Sequence, residues 1–390
     1  MNRFIYSIPT KIAFGKGQIK MLPEFIKEYG KRVLLVYGAG SIKKSGIYDE
    51  VVGLLNENDI IFSQLSGVEP NPQVETVRRG IDICRKEKVE VIVPIGGGST
   101  IDCAKAIAAG AGFSGDVWEL VKDNSLISSA LPIICVSTVA ATGSEMDTSA
   151  VISNHEKKDK AEIESSLLYP KASILDATYT FTVSPYQSAA GVADIMSHVF
   201  EYYFFNDEIM DIQRDMMLGI LKTCVRYGSI VVDEPDNEKA RENLMWAASW
   251  AINGFISCGA KSSWPAHALE YQLTIRYGVT HGHGMAIIDS AWMKHILNKK
   301  TLPYFVRYGK EVFGINDEDA DTVALKAIEK TMDFYKKMGL SLTLESIGLK
   351  DPKDITQMAK NAVEEFSLDN GGEMSLTDDD AMEIYKKCLE

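Results

Sequence analysis

The sequence predicts an α/β N-terminal half built on a parallel sheet and an all-helical C-terminal half. Two observations carry this. Up to about residue 185, short apolar β-branched runs alternate with longer amphipathic stretches, which is the pattern of strand–helix units forming a covered parallel sheet. After Pro185 strand signals are scarce, and long stretches carry Met, Leu, Ala and Trp at helical spacing. The expected domains are 1–185 and 186–390.

Strands are expected at 32–37 (RVLLVY), 89–95 (VEVIVPI) and 131–138 (LPIICVST), each bounded by turn residues. Helices are expected between them at 47–56, 73–86 and 100–109, and in the second half at 210–225 and 238–251. The chain of 390 residues exceeds one typical domain. Its 46% hydrophobic and 24% charged content is that of a globular enzyme with a large core. A net charge of −13 argues against nonspecific binding to nucleic acid or an anionic membrane. The six cysteines are scattered without framework spacing and read as reduced thiols of a cytoplasmic protein. The N-terminus lacks the apolar core of a signal peptide, and no run approaches the length of a bilayer span.

The strand at 89–95 runs into Gly96-Gly97-Gly98-Ser99-Thr100-Ile101-Asp102, which opens the next helix. Glycines admit close approach of a ligand to the backbone, and amides at a helix N-terminus bind anions, so a diphosphate suits this loop. The first domain is therefore read as a Rossmann-like, dinucleotide-binding one. Asp102 would cap or orient the loop, or reach a ribose or nicotinamide. A second glycine turn, Gly38-Ala39-Gly40-Ser41, carries no acid and is followed by Lys43 and Lys44. An acid commonly meets the adenosine 2′-hydroxyl of NAD, so this chemistry leans toward NADP.

In the helical half, Asp194 and His198 stand at i and i+4, on one face of a helix. His267 and His281 add two imidazoles. Three neutral nitrogen donors and one carboxylate suit zinc or ferrous iron and leave a position for a substrate oxygen. Four of the six histidines, His198, His267, His281 and His283, lie in or beside this set.

The chain resembles the iron-containing (group III) alcohol dehydrogenases, nearest their NADPH-dependent butanol dehydrogenase and aldehyde reductase branch. The likeness runs through PTKIAFGKG (9–17), YGAGSIKKSG (37–46), EPNP (69–72), GGGSTIDCAK (96–105), STVAATGSEMD (137–147), ILDATYTFT (174–182), GVADIMSHVFEYYF (191–204) and THGHGMAI (280–287). It implies the dehydroquinate synthase-like fold, with an active site in the cleft between the α/β and helical domains. It also implies that Asp194, His198, His267 and His281 bind the metal and that Gly97, Gly98 and Ser99 hold the diphosphate. Asp102 would then lie near the nicotinamide, Thr138 and Thr142 would line the cofactor cleft, and Lys160 and Tyr179 would form its wall. Gly38, Gly40 and Ser41 would form the adenosine-side turn. Tyr271 departs from the family, which usually has a histidine there to relay the alcohol proton. His283, or water beside Tyr271, would have to supply that proton.

The implied reaction is hydride transfer between NAD(P)H and a small aliphatic aldehyde or primary alcohol, with Fe2+ or Zn2+ as Lewis acid. The expected partner, besides substrate, is a second copy of the chain in a homodimer, with no nucleic acid and no membrane. The alternatives are a polyol or glycerol(-phosphate) dehydrogenase or a dehydroquinate synthase-like lyase. Those acting on phosphates or carboxylates need clustered cations, and residues 257–283 offer only Lys261 and Arg276. A non-catalytic nucleotide or metal sensor is argued against by the intact ligand set.

Overall fold

A strand such as RVLLVY, apolar at almost every position, is stable only if both its faces are covered. The computed structural model describes residues 3–157, 159–205, 209–260, 262–349, 352–370 and 375–389; Lys261 lies outside them. The chain forms two compact units, Ser7–Val183, and Met1–Tyr6 together with Ser184–Glu390.

The first unit runs β1 (Lys11–Phe14), α1 (Leu22–Lys27), β2 (Arg32–Tyr37), a helical turn α2 (Ser41–Lys44), α3 (Ile47–Glu57) and β3 (Ile61–Leu65). It continues through α4 (Val74–Glu87), β4 (Val91–Gly96), α5 (Gly98–Gly110), α6 (Val117–Lys122), β5 (Ile134–Ser137), β6 (Ser149–Asn154), β7 (Asp159–Glu164) and β8 (Ala172–Leu175). Six strands pair in the order β1-β8-β5-β4-β2-β3, all parallel, and β6 and β7 form a separate antiparallel pair.

Side chains alternate across this sheet. Val33, Leu35, Val91 and Val93 enter one core with Ile26 and Val51, whereas Leu34, Val36 and Ile92 enter the other with Val77 and Ile107. The continuous apolar run of β2 is therefore a requirement of two covered faces. Pro94 has no N–H, and the β4–β5 pairing breaks beside it: Ile92 bridges Ile133, and regular pairing resumes at Ile95 with Val136.

β4 and β5 begin two and three residues later than the sequence suggests. The strands expected from the sequence include neither edge strand, β1 or β3. In β1 only Ala13 and in β3 only Leu65 is buried, so neither forms a continuous buried apolar run. Among the described residues, no helix is long and apolar enough to cross a membrane.

The second unit consists of α7 (Pro185–Tyr203), α8 (Asp211–Asp233), α9 (Glu238–Ile252), α10 (Pro265–Tyr277), α11 (His281–Ile296), α12 (Leu302–Phe313), α13 (Ala320–Lys337), α14 (Pro352–Phe366) and α15 (Asp378–Lys387). Ser184 caps α7, its hydroxyl accepting from the Gln187 amide at 3.2 Å, and Pro185 takes the first helical position. Of the 19 residues of α7, 15 are buried, which makes it the axis of the unit. It packs against α8 and α11.

The α7–α11 crossing is unusually close. A Cβ built on Gly282 would lie 1.9 Å from the carbonyl oxygen of Ala190. That neighbour is helix backbone and cannot move aside, so only glycine fits. Gly282→Ala is expected to destabilise the chelator-treated protein by on the order of 1–3 kcal/mol, through overpacking. A lowered urea midpoint checks this; an unchanged midpoint would mean the helices separate without cost.

Candidate active site

The close crossing of α7 and α11 brings Asp194 and His281 together. His281 Nε2 lies 3.4 Å from Asp194 Oδ1, and His198 Nε2, one turn along α7, lies 3.5 Å from the same oxygen. His267 joins from α10, and ligand atoms of Asp194, His267 and His281 lie within 4.8 Å of one another. The imidazoles of His198 and His267 stack at 5.2 Å with 12° between their planes.

Asp194 Oδ1 is buried and accepts no hydrogen bond. A buried carboxylate oxygen that accepts no hydrogen bond and faces two imidazole nitrogens suits a cation. Two ligand atoms about 2.1 Å from one ion at the tetrahedral angle would lie about 3.4 Å apart. The two separations from Asp194 Oδ1 match that value. Asp194, His267 and His281 form the set whose ligand atoms converge, and His198 lies beside that set, 3.5 Å from Asp194, so the residues present fit a divalent metal.

Two buried carboxylates complete the arrangement. Glu201 Oε1 accepts from His267 twice, from the backbone amide at 3.0 Å and from ring Nδ1 at 2.9 Å. It thereby caps the start of α10, whose N-cap, Trp264, supplies no side-chain bond and sits at φ 51°. Glu270 Oε2 pairs with His281 Nδ1, and its Oε1 accepts from the Thr274 hydroxyl. Both glutamates have 0% exposure. Burial pushes the Glu201 carboxyl up to about 8, although the amides of His267 and Ala266 favour its charged form. The sequence carried a signal for these residues, since each glutamate follows a ligand candidate by three positions, in HVFE and HALE.

His283 is held elsewhere. Its Nε2 lies 2.8 Å from the Ser341 carbonyl, which can only accept, so Nε2 carries the proton. Nδ1 then accepts from the Tyr186 hydroxyl at 3.0 Å. Burial lowers the His283 pKa. Tyr271 lies against the His281 ring at 5.8 Å and the Phe366 ring at 5.5 Å.

In the sheet unit, Gly97 forms the extended N-cap of α5, between β4 and the helix. A Cβ at Gly98 would lie 2.4 Å from Thr142 Oγ1, which explains the glycine there. The Thr138 amide donates to the Gly96 carbonyl at 3.0 Å, and Ser99 Oγ accepts from the Asn71 amide at 3.3 Å. Asn71, which the sequence reading gave no role, also accepts from Lys160 Nζ at 3.2 Å and so links Lys160 to the loop. Gly97, Gly98, Ser99, Thr138, Thr142 and Lys160 are thus brought together.

Asp102 spends both oxygens on the chain. Oδ1 accepts from Ser144 Oγ at 2.7 Å and Oδ2 from the Val151 amide at 3.1 Å, and burial raises its pKa to about 6. The neighbouring fully buried Lys105 pairs with Asp147 and donates to the Ser149 carbonyl at 2.8 Å. Together these bonds fasten the segment after β5 to α5. Tyr179 donates to Glu50 at 2.8 Å. Gly38, Gly40 and Ser41 form the turn after β2, with Gly40 at φ 125°. Beyond it, Lys43 Nζ lies 5.2 and 4.6 Å from the centroids of the Tyr37 and Tyr48 rings.

The comparisons with known proteins agree with one another. The iron-containing alcohol dehydrogenase family matches residues 9–177, and the C-terminal domain of the Fe-containing alcohol dehydrogenases matches residues 188–389. The chain is 48% identical to NADH-dependent butanol dehydrogenase A of Clostridium acetobutylicum, covering 99% of this chain and 100% of that one. It is 35% identical to an NADPH-dependent aldehyde reductase of Escherichia coli, covering 99% of each. The crystal structure of NADH-dependent butanol dehydrogenase A from Thermotoga maritima superposes with a TM-score of 0.94 at 37% identity, covering 100% of this chain and 99% of that one. The protein belongs to the iron-containing alcohol dehydrogenase family. A nicotinamide cofactor and a metal go with that membership.

Proposed function

We propose that the enzyme, an NAD(P)H-dependent alcohol and aldehyde oxidoreductase, interconverts a small aliphatic aldehyde and its primary alcohol, with NADPH preferred. The observation that carries the reading is the buried Asp194 Oδ1, which accepts no hydrogen bond and lies 3.4 and 3.5 Å from two imidazole nitrogens. In this reading Asp194, His198, His267 and His281 hold one divalent ion, Fe2+ or Zn2+. That ion supplies Lewis acidity toward the substrate oxygen, and the nicotinamide supplies the hydride. Gly97, Gly98 and Ser99 receive the diphosphate, helped by the absence of side chains at the two glycines. Thr138, Thr142 and Asp102 shape that loop, Lys160 holds it through Asn71, and Tyr179 is a wall residue. The sparse cations of residues 257–283 favour an uncharged substrate over a phosphate or dicarboxylate.

His267→Ala is expected to lose bound metal and turnover together while remaining folded, as measured by metal analysis and circular dichroism. Active, metal-free His267→Ala protein would reject the ligand assignment.

The relatives' names divide between NADH and NADPH, so the cofactor preference rests on the local chemistry. The turn from Gly38 to Ser41 has no carboxylate, and Ala39 is exposed. Ala39→Asp should raise the KM for NADPH roughly tenfold, since one charge contact is worth about 1 kcal/mol in water-like surroundings and the 2′-phosphate carries more than one charge. Better kinetics with NADH than NADPH in the unmodified enzyme would overturn the preference.

For aldehyde reduction we assign proton delivery to water beside Tyr271, because both His283 nitrogens are engaged by Ser341 and Tyr186. Tyr271→His should bring a group titrating near 6.5 into the pH–rate profile, and His283→Ala should leave that profile where it was. A profile displaced by His283→Ala would return the role to that residue.

The six cysteines are all free and five are buried, which supports a reducing, cytoplasmic setting. The assembly we propose is a homodimer.

A further inference from the structure

The two HxxE segments, His198-Val-Phe-Glu201 and His267-Ala-Leu-Glu270, place a histidine and a glutamate on one face of α7 and of α10. Each glutamate pairs with a histidine of the next helix in the site. Glu201 of α7 takes Nδ1 of His267 on α10, and Glu270 of α10 takes Nδ1 of His281 on α11. We infer that Glu201 and Glu270 are positioning residues that fix two ligand histidines as Nδ1–H tautomers, present both Nε2 atoms to the metal, and set its affinity. This inference rests on the metal-ligand reading above.

Each carboxylate is itself held from outside the histidine pair. Glu201 is tied to the backbone amide of His267, so the bond that starts α10 also sets the angle of the imidazole. Glu270 is held by Thr274 and by the room that Gly284 leaves: a Cβ at Gly284 would lie 2.4 Å from Glu270 Oε1 and 2.8 Å from its Cγ. Such carboxylate–histidine pairs fix ring orientation and raise ligand basicity, and their loss typically weakens metal binding about 10–100-fold. With Asp194, the site gathers three buried carboxyl groups around three imidazoles, so a bound cation would offset buried negative charge.

The test measures zinc affinity by chelator competition in the full-length protein, alongside circular dichroism of the metal-free form. Glu201→Gln and Glu270→Gln keep shape and an acceptor oxygen but replace an ionisable carboxyl by a neutral amide; each is expected to weaken zinc binding at least tenfold with an unchanged metal-free fold. Gly284→Ala changes no charge but displaces Glu270, and should weaken binding comparably. His267→Ala is the control for the underlying reading and should abolish binding. If His267→Ala abolishes binding while both glutamine variants bind zinc within twofold of the unmodified protein, the inference is wrong and the ligand reading stands. If His267→Ala binds normally, the ligand reading itself fails. If Glu201→Gln is unfolded without metal, Glu201 is a folding residue and the inference fails for it, while Glu270→Gln and Gly284→Ala decide Glu270; if Glu270→Gln is unfolded without metal, the inference fails for Glu270.

Discussion

The helical unit depends on the approach of α11 to α7 at Gly282 and Ala190. Two helix backbones meet there with no side chain between them. That contact lets Asp194 and His281, 87 positions apart in the chain, approach to 3.4 Å. The neighbouring glycine, Gly284, leaves space that Glu270 fills from α10. The short segment THGHG therefore supplies a ligand candidate and also the clearance for the helix and the carboxylate that surround it. Any side chain at either glycine would have to be accommodated by backbone or by a buried acid.

Burying several carboxyl groups in one helical core is unfavourable unless each is compensated. Glu201 receives an amide and an imidazole, and Glu270 a hydroxyl and an imidazole. Asp289 on α11 receives the hydroxyls of Ser197 at 3.0 Å and Tyr335 at 3.1 Å, yet burial still holds its pKa well above the usual carboxylate range. Ser197 directly precedes His198, so this polar contact also braces the α7 face that carries the site. Asp194 Oδ1 and Glu201 Oε2 both lack a donor, and Asp194 Oδ1 is the one that faces two imidazole nitrogens, at 3.4 and 3.5 Å. That position suits a cation.

The sheet unit solves a different problem, which is to keep a glycine loop open. Gly96, Gly97 and Gly98 each lie where a Cβ would meet Thr100, Val139 or Thr142 at 3.0 Å or less. Asp102 and Lys105 fasten the segment after β5 against α5 by bonds to Ser144, Val151, Asp147 and Ser149. The loop's shape thus comes from packing and from two buried charged residues. Asp102, which the sequence offered as a contact for ribose or nicotinamide, spends its oxygens on that fastening.

The sequence by itself determined the covered parallel sheet, because only a strand buried on both faces tolerates VLLVY or VIVPI. It determined the helical second half through its periodicity, and the Asp194–His198 pair through an i, i+4 spacing that a helix must bring to one face. The His267 and His281 candidates were legible as residue types, and the family resemblance joined them to the pair. The edge strands were not legible, since half-exposed strands carry no continuous apolar run. Which group each histidine nitrogen faces was decided only in three dimensions. The HxxE repeats are visible in the chain, but the crossing of the helices, set by two glycines, sends each glutamate to the next helix's histidine. His283 lies two residues from His281 in sequence, yet its ring nitrogens face Tyr186 and Ser341, because sequence proximity fixes where a backbone goes and packing fixes what its side chain meets.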